Sequence, residues 1–249
     1  MIRNLRAFFR FTAFVILTLT IYSSWWLTSF IVPNKRFWRQ TAFKMWCATF
    51  VRLSRMNVEV VGKPPSAPFF LVANHLSYTD IPALRMVVNG VFVAKHDIES
   101  WVFAGKIVRD MGTIFIDRSN RRDIPRAGQK IVDVLEHGEG VIVFPEGTST
   151  KGESVLHFNS SFFEFAAAAG LPVCYAAISY RTPEKEMPAS EAVCWWDDTG
   201  FLAHMYRLFS VKEYTATITF GEAPVTDANR KELAQELHRK VREHFIPVI

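Results

Sequence analysis

The chain has 249 residues, 49% apolar and 21% charged, with 12 Gly, 12 Pro and no biased tract. That excludes a disordered or collagen-like protein and allows a sizeable core. Three distant cysteines, Cys47, Cys174 and Cys194, form no CxxC pair, which excludes a zinc ribbon or disulfide scaffold and suits a reducing compartment. The net charge of +5 is uneven: residues 1–58 carry nine basic residues and no Asp or Glu, leaving 20 basic and 24 acidic beyond them.

The basic head reads as a membrane segment. Residues 11–32 are 22 uncharged positions. As a helix they would span roughly 33 Å at about 1.5 Å per residue, close to the hydrocarbon thickness of a bilayer. Arginines before the run, Trp25 and Trp26 near its end, and Lys35 and Arg36 after it are the flanks of an interface-anchored span. A secretory signal fits less well, because the run is long and no small-residue cleavage site follows. Pro33-Asn34 breaks the run. Residues 35–55 then read as a second helix, with Trp38, Ala42, Met45, Thr49 and Leu53 at three- and four-residue spacing and basic residues between them. The expected division is 1–57 as membrane-anchoring helices and 58–249 as a globular domain.

Strand-length apolar runs recur at 58–61, 69–73, 91–94, 113–117, 141–144, 173–179 and 215–220. Helical stretches alternate with them. In the clearest, 124–137, Asp123 is placed to cap the start and Pro125 sits in the first turn. Ala127, Ile131, Val134 and Leu135 share a face, and Gly138 ends it. Others close at Gly170 and cover 229–245. The fold class is α/β: a mixed, partly parallel sheet covered by helices. Residues 181–213, with Pro183, Pro188 and Trp195-Trp196-Asp197-Asp198, read as a long surface excursion.

Polar clusters stand at the ends of three of these strands. The run at 69–73 leads into Asn74-His75-Leu76-Ser77-Tyr78-Thr79-Asp80. Asp80 can hold one nitrogen of His75 and leave the other free to take a proton. Alone, such a pair also arises by chance proximity. Gly112-Thr113-Ile114-Phe115-Ile116-Asp117-Arg118 and Phe144-Pro145-Glu146-Gly147-Thr148 end the other two strands; in isolation they read as a salt bridge and a Pro-Gly turn. Strand ends on one edge of an α/β sheet are where ligands bind, so together the three blocks point to one site.

These blocks, in this order and with Leu171-Pro172-Val173 after them, resemble the ordered motifs of the 1-acylglycerol-3-phosphate acyltransferase (PlsC-like lysophospholipid acyltransferase) superfamily. The resemblance covers about residues 70–180 and the character of the head. It implies a glycerolipid acyltransferase fold with an N-terminal membrane-embedded helix pair. It also implies transfer of a fatty acyl group from a thioester of acyl carrier protein or coenzyme A to a lyso-lipid hydroxyl, without metal or organic cofactor and without nucleic acid. Carried onto this chain, it makes His75 the base and Asp80 its orienter. Lys95 and Arg118 grip the acceptor's phosphate or other anionic head, and Glu146 positions the acceptor or shapes the turn. Gly147 and Thr148 supply oxyanion donors, and Pro172 shapes a wall for the acyl chain. The implied place is a bacterial inner membrane, with the catalytic domain at the cytoplasmic face.

One residue departs from the pattern. Members acting on lysophosphatidate commonly carry Arg after the FPEGT block, where this chain has Ser149. Arg suits bidentate phosphate binding, so a different head, such as that of a lyso-ornithine lipid, becomes the competing acceptor. A hydrolase with water in place of the acceptor, and a non-catalytic lipid-binding protein, are the remaining alternatives. His96, His137, His157, His204, His238 and His244 show no ligand spacing and read as solvated or core-edge groups.

Overall fold

The computed structural model describes residues 2–101, 104–117 and 123–248, without the side chains of 104 and 123–125. In chain order the elements are α1 (Ile2–Thr28), α2 (Lys35–Ser54), β1 (Met56–Val61), β2 (Phe70–Ala73), α3 (Asp80–Val87), β3 (Gly90–Lys95), α4 (Ala104–Asp110), β4 (Ile114–Ile116), α5 (Asp123–Glu136), β5 (Gly140–Val143), α6 (Glu164–Ala169), β6 (Val173–Arg181), α7 (Ala189–Ala192), α8 (Phe201–Ser210), β7 (Tyr214–Phe220) and α9 (Arg230–His244).

The sheet has seven strands in the order β1-β7-β6-β2-β5-β3-β4. From β6 to β4 all neighbours are parallel, while β7 runs antiparallel to β6 and takes β1 with it. Side chains alternate across it. Phe70, Val72, Val141 and Val143 face a core closed by α5, α6 and α9, through Ala127, Ile131, Ala166, Leu233 and Leu237. Leu71, Ala73, Ile142 and Ile178 face a second core completed by Phe14 of α1, Phe43 and Phe50 of α2, Leu84 of α3 and Leu208 of α8. Burial on both faces explains why these strands are continuous apolar runs.

The head helices pack on the sheet. α2 opens where Asn34 accepts the Phe37 N–H and ends at Arg55, which takes a left-handed conformation. α1 begins at Ile2, nine residues before the uncharged run, and stops at Thr28. Two of its three arginines serve the body. Arg6 donates to Ser210 O, and Arg10 to Phe209, Val211 and Lys212 O, so both cap the carboxyl end of α8. Arg36 and Arg39 pair with Glu139, which the Gln40 side chain also reaches. The other side of α1 is bare: only Ala7 and Phe14 are buried, and Phe8, Phe9, Ile16, Leu19 and Leu27 are exposed. α1 is long and apolar enough to cross a membrane.

Candidate active site

The parallel strands β2, β5, β3 and β4 deliver their chain continuations to one edge of the sheet. Beyond β2, the Asn74 side chain accepts from Ile178 N–H (2.7 Å) and donates to Ile178 O (2.9 Å), extending the pairing with β6 by one rung. The main chain is thereby released to turn at His75.

His75 Nδ1 lies 2.7 Å from Asp80 Oδ2. Asp80 is wholly buried in the first turn of α3. Its Oδ2 also accepts the Leu76 and Ser77 N–H groups at 2.8 and 3.1 Å. Oδ1 accepts the Tyr180 hydroxyl at 2.7 Å. A buried carboxylate lacking such partners would cost several kcal/mol; four donors surround this one. The carboxylate takes the Nδ1–H tautomer of His75, which leaves the lone pair on Nε2. The imidazole is stacked on Phe144, with centroids 4.3 Å apart, and its side chain is 22% exposed.

Glu146 sits beneath this pair. One carboxylate oxygen accepts the His75 backbone N–H (2.7 Å) and the other the Leu156 N–H (2.8 Å). Burial pushes its carboxyl up to about 7, against the opposing pull of those two donors. With both oxygens engaged by main chain, Glu146 clamps the turn to the His75 backbone. Gly147, at φ +75°, closes that turn by donating its N–H to Phe144 O (3.1 Å). The Gly147 N–H is thus engaged within the turn, and Thr148 after it is exposed.

Lys95 ends β3 exposed, in register with Ile116 of β4 and at the same edge as His75. Arg118 lies outside the described residues. Pro172 precedes β6 at the opposite edge, beside a groove of about 200 Å³ lined with Pro65, Pro68, Phe69 and Cys174. That places it away from the His75–Asp80 pair. Among the described residues no cluster of His, Cys, Asp and Glu could hold a metal ion.

Two contributions escaped sequence reasoning. Tyr180, seven residues into β6, is fixed 100 positions from its partner Asp80, and only the β2–β6 register reveals it. Burial holds its hydroxyl proton well above the usual phenol range, so it stays a donor. Residues 193–210, read as surface, reach the site: Trp195 N–H donates to Leu76 O (2.9 Å), and Ser149 Oγ donates to Trp195 O.

Tyr180→Phe tests the first of these. It removes one donor from Asp80 and leaves three, at a cost of about 1.5–3 kcal/mol for a bond to a charged group. The expected result is kcat lower by about tenfold, unchanged KM and a melting temperature down by several degrees. Steady-state kinetics and a thermal melt check it.

Residues 55–179 match the model of the family described as Acyltransferase. A lyso-ornithine lipid O-acyltransferase from Pseudomonas aeruginosa is 34% identical over 205 residues, covering 82% of this chain and 78% of that one. A 1-acyl-sn-glycerol-3-phosphate acyltransferase from Neisseria gonorrhoeae is 32% identical over 192 residues, covering 76% and 73%. The crystal structure of the 1-acyl-sn-glycerophosphate acyltransferase PlsC from Thermotoga maritima shares the fold, with a TM-score of 0.66 and 23% identity over 97% of both chains. The ordered motifs, the mixed sheet and these relatives agree: the chain belongs to the acyltransferase family.

Proposed function

We propose that this acyltransferase works at a membrane surface, moving a fatty acyl group from a thioester to the hydroxyl of a lyso-lipid. The observation that carries this reading is His75 held at Nδ1 by buried Asp80 at the sheet edge, which leaves Nε2 to take a proton. His75 Nε2 takes the acceptor's hydroxyl proton as that oxygen attacks the thioester carbonyl. The Thr148 amide steadies the oxyanion. The C–S bond then breaks, the ester remains, and the imidazolium returns its proton to the departing thiolate. No metal or organic cofactor enters; the donor is a thioester of acyl carrier protein or coenzyme A.

The geometry favours an in-plane anchor over a full crossing. Arg6 and Arg10 bind the end of α8, and Tyr22 O–H donates to Asp110 Oδ2 on α4 at 2.5 Å. Contacts with the body therefore run along about 24 Å of α1. Lipid covers the opposite, apolar side, with the body at the cytoplasmic face of a bacterial inner membrane.

For the head group, 1-acyl-sn-glycerol-3-phosphate is favoured, with Lys95 and Arg118 as its anion-binding residues. A second reading, a lyso-ornithine lipid, is supported by Ser149: its hydroxyl is committed to Trp195 O, so this position offers a phosphate no cation. Purified protein offered both acceptors and both thioester donors separates the two. Transfer to lysophosphatidate is expected, with Lys95→Ala raising its KM about tenfold, since a lost charge-assisted contact is worth 1–2 kcal/mol. Transfer to lyso-ornithine lipid alone would replace the favoured acceptor by the second. Fatty acid released equally with and without acceptor would mean hydrolysis.

A further inference from the structure

The stretch from residue 193 to the end of α8 contacts the catalytic loop at one end and α1 at the other. Tyr78 lies between His75 and Asp80 in sequence. Its ring is enclosed edge-on by Phe50, Trp195, Phe201 and His204, at centroid distances of 6.2, 5.8, 4.9 and 5.6 Å. His204, on α8, is wholly buried. Its Nε2 stands 3.0 Å from Cys194 O, which can only accept, so Nε2 carries the proton. Nδ1 is then the acceptor for the Tyr78 hydroxyl at 3.1 Å. Burial pushes His204 down to about 4, which keeps it in this neutral form.

The far end of α8 presents carbonyls that no further turn of helix can satisfy. Arg6 and Arg10 reach them from α1, with Arg10 2.6 Å from Val211 O and 3.1 Å from Lys212 O. His204 and Ser210 are six residues apart, so the two attachment points are separated by about 9 Å of helix.

We propose that α8 is a strut holding the 75–80 loop in its reactive shape, with His204 and Arg10 as positioning residues for acyl transfer. The proposal rests on His75 being the base. That base must keep Nε2 within a few tenths of an ångström of its productive place. Asp80 fixes the loop from within, through His75, Leu76 and Ser77. The outer side of the loop is held at Tyr78 and at Leu76 O, and both ties come from residues 195–204. Through Arg10 the lipid-facing helix bears on the same strut.

The test is steady-state transfer to whichever acceptor the wild type uses, with vesicle binding and thermal melts in parallel. Tyr78→Phe and His204→Phe are each expected to lower kcat by about tenfold with KM unchanged. The double variant should lose no more than His204→Phe alone, because that change already removes the Tyr78 bond together with the one to Cys194 O. It strands neither a Tyr78 hydroxyl nor an imidazole, and only Cys194 O loses its donor, so it remains informative if a single variant fails to fold. His204→Asn, whose side-chain oxygen replaces Nδ1 as acceptor, should recover to within about threefold of wild type. Arg10→Gln should lower kcat by about fivefold while vesicle binding stays unchanged. Wild-type kcat in a folded Tyr78→Phe, His204→Phe or double variant would overturn the strut, and wild-type kcat in Arg10→Gln would remove α1 from it. Activity surviving in His75→Ala would instead overturn the underlying reading, so the two failures are distinguishable.

Discussion

Replacing His75 by alanine is expected to lower acyl transfer by about 10³-fold, within the range that a positioned general base contributes. The fold should survive. The side chain is partly exposed, and its main non-polar contact is the stacked Phe144 ring. Asp80 keeps the Leu76 and Ser77 N–H groups and the Tyr180 hydroxyl, so no buried charge is stranded. Asn74 still pairs with Ile178, and the His75 backbone still donates to Glu146, because neither bond uses the imidazole. The melting temperature should therefore shift by only a few degrees, as for a loss of about 1 kcal/mol. Activity within tenfold of wild type in a folded variant would remove the base from the mechanism.

The sheet and the His75–Asp80 pair were legible because their signals are local. Each strand is a short apolar run, and burial on both faces of the sheet makes the runs continuous. His75 and Asp80 are five residues apart, joined by a turn that the first turn of α3 completes. Other features depend on register and packing, which no short window contains. The strand order puts β6 beside β2, and only that neighbour relation brings Tyr180 to Asp80.

The basic residues of the head show the same limit in electrostatic form. A guanidinium beside an apolar run is equally consistent with a lipid phosphate and with the carboxyl end of a distant helix. Arg6 and Arg10 take the second role here. Residues 181–213 were misread for a different reason: prolines and a Trp-Trp-Asp-Asp cluster suggest an exposed loop. Yet α8 within that stretch buries His204, Leu208 and Phe209, and its neighbours tie the site together.

Asp80→Asn is expected to lower kcat by about 10²–10³-fold with KM little changed, through charge and not through the tautomer. The Leu76 and Ser77 N–H groups can only donate, and both point at the position of Oδ2. The asparagine oxygen must occupy that place, which turns its NH₂ towards Tyr180. His75 Nδ1–H then still finds an oxygen, so Nε2 keeps its lone pair. What disappears is the negative charge that steadies the imidazolium once the proton has moved. The Tyr180 oxygen, already accepting from Thr79, must also accept from the new amide, which leaves its own proton without the carboxylate it served. Stability should fall by about 1–3 kcal/mol for that lost partner. Nitrogen-15 spectra of the histidines distinguish the two accounts. A His75 protonated at Nδ1 in the variant supports loss of charge alone. A His75 protonated at Nε2 would mean that the amide has turned the other way and removed the base itself.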